Sequence, residues 1–182
     1  MLNPEGLFSF QLDQFQEDAI KAINSGSSIV LTAPTGSGKT LLGEFAIYRS
    51  LSHNNKVFYT TPLKALSNQK FRDFSIQFGE ENVGLLTGDI SINRDAHVLV
   101  MTTEIFRNML YGEFEEIDDP LANLESVILD ECHYMNDPQR GTVWEETIIH
   151  CPINTQIIAL SATISNSEQL KNWINKVHGP TA

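Results

Sequence analysis

The segment Ala33-Pro34-Thr35-Gly36-Ser37-Gly38-Lys39-Thr40 constrains this chain more than any other. It follows the apolar run SSIVLT and opens TLLGEFAIYRSL, in which apolar residues recur at helical spacing. A glycine-rich turn between strand and helix aims successive backbone N–H groups at one point, and the helix N-terminus adds partial positive charge. Such a turn suits a phosphate. Ala33 stands where the strict G-x-x-x-x-G-K-[ST] pattern has its first glycine. Gly36 and Gly38 still permit the turn, with Pro34, Thr35 and Ser37 completing the loop. Lys39 suits the outer phosphates of a nucleotide, and the Thr40 hydroxyl suits Mg2+. A glycine-rich turn carrying a chance lysine is the plain alternative, and the strand-loop-helix order argues against it.

The rest of the chain repeats that order. Short apolar or β-branched runs predict strands at 28–33, 56–61, 83–86, 97–102, 126–130 and 156–160. Between most of them, three- and four-residue apolar spacing predicts helices at 12–23, 39–50, 63–78, 104–110 and 167–177. Continuous apolar strands separated by helices imply one α/β domain, a mostly parallel sheet with helices on both faces. Turn signals such as Asn54-Asn55 and Thr87-Gly88-Asp89 fall where connections are needed. At 182 residues the chain fits one such domain and shows no internal repeat or linker.

Charge and cysteine use narrow the classes. No stretch approaches the roughly 20 apolar residues a membrane span requires. The N-terminus lacks a basic segment followed by an apolar run, so a secreted protein is not expected. Cys132 and Cys151 have no metal-site spacing, which favours a reducing, cytoplasmic compartment, bacterial cytoplasm or organelle stroma included. The net charge of −11 opposes a nucleic-acid partner at long range. Five of those carboxylates crowd into 112–119 (GEFEEIDD), a solvated loop, whereas 64–72 carries three cations. A cleft can still hold phosphates through backbone amides, so binding of RNA by this chain alone is expected to be weak.

Asp130-Glu131-Cys132-His133 ends the apolar run SVILD. Its carboxylates therefore lie at the carboxyl end of a parallel strand, where ligands of such sheets bind. Asp130 suits holding Mg2+ through water, and Glu131 suits polarising an attacking water as general base. Two acids after a strand are by themselves unremarkable as a loop start; the phosphate loop gives them weight. Cys132 suits a small core residue better than a redox switch.

With these residues in place, the sequence resembles the first RecA-like domain of superfamily 2 helicases of the DExH-box branch, over about 8–173. APTGSGKT resembles motif I, TTPLKALSNQK motif Ia, and TGD with TTEIFRNMLY the Ib and Ic region. DECH is similar to motif II and Ser161-Ala162-Thr163 to motif III. Residues 133–148 (HYMNDPQRGTVWEETI) resemble the block after motif II in the superkiller and exosome-associated RNA helicases. The resemblance implies a P-loop ATPase using ATP/ADP and Mg2+, working on RNA rather than DNA. It also implies that His133, Ser161 and Thr163 couple the γ-phosphate side of the site to the nucleic-acid side.

FQLDQFQ, residues 10–16, is similar to the family's Q-type motif. That similarity makes Gln16 a reader of the adenine edge and Phe10 a stacking ring, with Phe15 a core residue. An amide pairs a donor with an acceptor, which suits adenine. In motif Ia, Thr61, Pro62, Lys64 and Ala65 leave a strand and begin a helix, so free N–H groups can meet a backbone phosphate, with Asn68 and Gln69 one turn on. Thr102 and Thr103 repeat the device before the next helix, and the family match adds Thr87 and Gly88. Arg107 is read equally as a phosphate contact or a solvated helix charge. Together these residues form a track for single-stranded RNA.

Motors of this family close a second RecA-like domain over ATP, and that domain supplies arginine fingers, a contribution on the order of 10³–10⁵ in rate. No such domain is read after Thr163, where one amphipathic helix and a short tail follow. The expectation is therefore a monomeric piece of a longer ATP-dependent RNA helicase, binding nucleotide but turning it over slowly. Three alternatives remain: a DNA translocase of a neighbouring family, a stand-alone nucleotide-dependent RNA-binding module and, distantly, a phosphate-loop kinase.

Overall fold

Strand β2 (Lys56–Thr61) is the centre of the molecule, buried along Val57 to Thr61 and paired on both sides. The computed structural model describes residues 11–33, 38–115, 119–132, 141–162 and 167–182, with only the backbone at 141–144 and 167. In chain order the elements before β2 are α1 (Gln14–Asn24), β1 (Ile29–Thr32) and α2 (Thr40–Ser52). After it come α3 (Lys64–Phe78), a short 3-10 turn, β3 (Val83–Leu86), β4 (Ser91–Ile92), β5 (Val98–Thr102) and α4 (Thr103–Leu110). The chain finishes with β6 (Leu124–Leu129), α5 (Gly141–His150), β7 (Gln156–Ser161) and α6 (Ser167–Val177).

The described strands form one sheet in the order β1-β7-β6-β2-β5-β3-β4, parallel throughout except for β4. Alternation along each central strand supplies both faces. Val57 and Tyr59 of β2 join one apolar cluster with Ile128, Ile158 and Leu160, while Phe58 joins the other with Val127, Leu129, Ile157 and Ala159. Helices α1, α2 and α3 cover the first face through Ile20, Phe45 and Phe74; α4 and α6 cover the second through Phe106 and Ile174. Each such burial contributes roughly 1.5–3 kcal/mol, and two-sided burial is why these strands read as continuous apolar runs.

The expected strands and helices are all present, with ends shifted by at most two residues. Two elements were not expected. Strand β4 has only two residues and pairs antiparallel with β3 at the sheet edge, too short for a periodic signal. Helix α5 is rich in Thr, Val and Ile, residues that favour strands by propensity, and tertiary packing against α4 overrides that. Phe15, expected in the core, is half-buried. At the opposite edge, the Ser28 N–H donates to Pro180 O at 2.9 Å and the Val30 N–H to Ala182 O at 3.0 Å, so residues 180–182 cover the outer side of β1. Among the described residues no helix is long and apolar enough to cross a membrane.

Candidate functional site

β1, β7 and β6 are neighbours, so Ala33, Ser161 and Asp130 leave the sheet side by side at its carboxyl edge. The Ala33 N–H donates to Ser161 O at 3.2 Å, tying the start of the glycine-rich loop to the end of β7. Pro34, Thr35, Gly36 and Ser37 lie outside the described residues, as do Phe10, His133 and Thr163. The loop resumes at Gly38, whose φ of +86° is a conformation that favours glycine. Space demands glycine as well, because a Cβ there would lie 2.6 Å from the Gln16 side-chain nitrogen.

Lys39 folds its ammonium back onto Ala33 O at 2.5 Å. The cation is therefore held by the backbone carbonyl at the start of the loop, a contact that an incoming phosphate can replace. Thr40 is the first residue of α2, and no side chain caps that N-terminus. Gln16 is buried on α1; its Oε1 accepts the Asp13 N–H at 2.8 Å and its Nε2 donates to Gly38 O at 3.4 Å. The amide thus links the first helix to the phosphate loop, each end retaining capacity for one further partner.

Asp130 and Glu131 are half-buried where β6 ends. The Asp130 N–H continues the ladder to Thr60 O at 2.9 Å, which fixes its backbone to β2. Its Oδ1 accepts the Glu131 N–H at 2.9 Å, and its Oδ2 accepts the Tyr59 hydroxyl at 2.5 Å. Glu131 has φ +55°, a left-handed conformation that costs a non-glycine residue about 1–3 kcal/mol and is concentrated at functional sites. Two hard oxygen donors, Asp130 and the Thr40 hydroxyl, fit Mg2+. Among the described residues no group of three or more His, Cys, Asp or Glu could hold a metal ion. Mg2+ takes one or two protein oxygens and completes its shell with phosphate and water.

Tyr59 was not anticipated. It is fully buried, and burial first and Asp130 second push its phenol well above the ordinary value, so it stays protonated and donates. A tyrosine in an all-buried strand must find its hydroxyl a partner; that signal was available, but the partner was not. Cys132 is buried and its thiol is pushed up to about 12, chiefly by burial, which makes it the inert core residue expected.

β2, β5 and β3 follow β6 in the sheet, and their carboxyl ends carry the remaining candidates. α3 begins at Lys64 and α4 at Thr103, each without a side-chain cap, so two sets of helix N–H groups open on one edge. Thr103 Oγ1 donates to Thr61 O at 3.2 Å and holds the two turns together. Thr61 itself is buried, its hydroxyl bonded to Leu63 O and Ser67 Oγ, so its side chain is taken up within the protein. Pro62 and Thr102 are half-buried; Ala65, Gln69 and Gly88 are exposed. Asn68 is half-buried. Lys64 meets Asp89 at 2.5 Å, and Thr87 Oγ1 donates to the same carboxylate at 3.1 Å, which brings motif Ia and the TGD turn together. Hydrogen bonds from Lys64 and Thr87 hold the exposed Asp89 carboxyl below its usual range. Arg107 turns toward α5, 3.9 Å from Glu146, so its guanidinium is engaged within the protein.

Comparison with known proteins agrees with this arrangement. The family model for DEAD/DEAH box helicases matches residues 13–171. The chain is 51% identical over 177 residues to the chloroplastic DExH-box ATP-dependent RNA helicase DExH15 of Arabidopsis thaliana, covering 96% of this chain and 15% of that one. It is 49% identical over 173 residues to the probable helicase HelY of Mycobacterium tuberculosis (94% and 18%), and 48% identical over 174 residues to the antiviral helicase SKI2 of Saccharomyces cerevisiae (96% and 13%). The chain thus spans less than a fifth of the length of these relatives. Among solved structures, the helicase MrfA bound to DNA and AMPPNP superposes with a TM-score of 0.77 at 22% identity, over 98% of this chain and 27% of that one, which is a likeness of fold. By matched family model and by relatives at about half identity, this chain belongs to the DEAD/DEAH box helicases.

Proposed function

We propose that this chain is the nucleotide-binding motor domain of a longer ATP-dependent RNA helicase. The observation that carries this is the division of one sheet edge. The carboxyl ends of β1, β7 and β6 present Lys39, Thr40, Asp130 and Glu131, and the adjoining ends of β2, β5 and β3 present the uncapped N-termini of α3 and α4 with Lys64. Nucleotide at the first half and single-stranded RNA at the second would share the boundary between β6 and β2. The relatives named as ATP-dependent RNA helicases support the choice of substrate.

In this reading Lys39 leaves the Ala33 carbonyl for the outer phosphates, and Gln16 meets adenine from the same side as Gly38. Thr40 and Asp130 would hold Mg2+, which would supply charge to neutralise the phosphate oxygens. Glu131 accepts the proton of a water whose oxygen attacks the γ-phosphorus; the bond from that phosphorus to the bridging oxygen breaks, and ADP departs with the electron pair. Ser161 and Thr163, with His133, join the two halves. A second RecA-like domain of the longer protein supplies the arginines that speed this step, so the chain alone binds ADP well and turns ATP over slowly. RNA-stimulated turnover by this chain at an ordinary helicase rate would refute that.

Calorimetric titration with Mg-ADP and Mg-GDP tests the site. The chain is expected to prefer ADP, and Gln16→Ala to lose the preference by about 10-fold, the worth of one or two hydrogen bonds. Equal affinity of the unmutated chain for both nucleotides would exclude Gln16 as the base reader. On the RNA side, Asp89→Asn releases Lys64 and removes a negative charge from the track. Affinity of this chain for single-stranded RNA is expected to rise about 3- to 10-fold at low salt, with the logarithmic salt dependence steeper by about 0.7. Unchanged affinity would place the RNA away from the TGD turn.

A further inference from the structure

We propose that Tyr59 is a positioning residue for the metal-bearing carboxylate, its buried hydroxyl holding Asp130 in the orientation that meets Mg2+-nucleotide. This rests on the Mg2+-nucleotide reading given above and names a group that none of the helicase motifs contains.

The geometry is unequal in a telling way. Tyr59 sits mid-strand in β2, in register with Ile128 of β6, with no exposed surface. Its ring meets the edge of Phe74 at 4.9 Å between centroids, and the Lys70 ammonium lies 5.9 Å from the ring centre. Gly43 of α2 also packs against the ring, where even a Cβ would lie 3.0 Å from Tyr59 Cε2. Glycine inside a helix lowers its propensity, and here the ring occupies the space a side chain would take. The ring is therefore clamped, and its hydroxyl is a donor fixed in place. Asp130 is half-buried at the strand end. Tyr59 takes its Oδ2 and the Glu131 N–H takes its Oδ1, so the carboxylate plane is set from both sides while each oxygen keeps a further lone pair. A carboxylate already oriented loses less freedom on meeting a metal-bound water than one that must be ordered at that moment.

Tyr59 also stands at the boundary between the two halves of the sheet edge, since β2 runs on into the turn that opens α3. A buried phenol needs an acceptor, and a purely structural bond would be served by any. If the bond is only structural, nucleotide binding with and without metal changes together. If Tyr59 positions Asp130, only the part of binding that metal adds is lost.

The test is ADP titration of the 182-residue chain, in Mg2+ and in EDTA, for the unmutated protein, Tyr59→Phe, Asp130→Asn and the double variant, each with a thermal melt. Tyr59→Phe is expected to keep its ADP affinity in EDTA within about 2-fold and to lose about 3- to 10-fold of the Mg2+ enhancement. Asp130→Asn should abolish the enhancement, and adding Tyr59→Phe to it should change nothing further. An undiminished Mg2+ enhancement in Tyr59→Phe overturns the proposal, as does an equal loss in both conditions. Should Tyr59→Phe lose cooperative melting, Gly43→Ala keeps the hydroxyl but crowds the ring, and a fall in Mg2+ enhancement alone is expected of it. If the unmutated chain shows no Mg2+ enhancement at all, the metal-nucleotide reading fails first and this proposal with it.

Discussion

Glu131→Gln in the longer helicase is expected to lower RNA-stimulated ATP turnover by about 10²–10⁴-fold, the range that a positioned general base contributes. The substitution keeps the size of the side chain and removes its capacity to take a proton. The backbone at Glu131 is already left-handed, and glutamine inherits that strain, so the melting temperature should move little. Mg-ADP affinity of this chain should be unchanged or slightly tighter, because a negative charge beside the phosphates is gone. Turnover that survives Glu131→Gln would place the base elsewhere on the carboxyl edge, and the left-handed turn after β6 would then need another explanation.

Lys39→Ala is expected to weaken Mg-ADP binding by roughly 10- to 100-fold, measured by calorimetry. A hydrogen bond to a charged group contributes about 1.5–3 kcal/mol. It is a net value, since Lys39 exchanges its contact with Ala33 O for one with phosphate. The same exchange argues for little loss of fold stability, because Lys39 and Ala33 are both only half-buried. Unchanged ADP affinity in Lys39→Ala would mean that the loop binds by backbone amides alone.

Much of the candidate site is legible in sequence because its parts are local. A glycine-rich turn between an apolar strand and a helix, or two acids at the end of SVILD, is recognisable within about ten residues. Gly38, Lys39 and Thr40 follow β1, and Asp130 and Glu131 follow β6, on one sheet edge with β7 between them. The starts of α3 and α4 were legible for the same reason, as strand ends passing into helix starts. Side-chain direction was not. Thr61 turns its hydroxyl inward to Ser67, and Arg107 faces Glu146, because their partners come from the following turn and from another helix.

The division follows the range of the forces. Periodicity and turn chemistry act between near neighbours, so the sequence by itself determined an α/β chain, its strands and most of its helices, and where the glycine-rich turn and the acidic strand end fall. Strand order is a matter of which crossovers bury both faces at once, and it sets β6 beside β2 although more than 60 residues separate them. Only the tertiary structure decided that Tyr59 would meet Asp130, Lys64 would meet Asp89 and Gln16 would reach Gly38. Each of those bonds joins groups distant in the chain, and no local pattern specifies a partner that packing alone brings within reach.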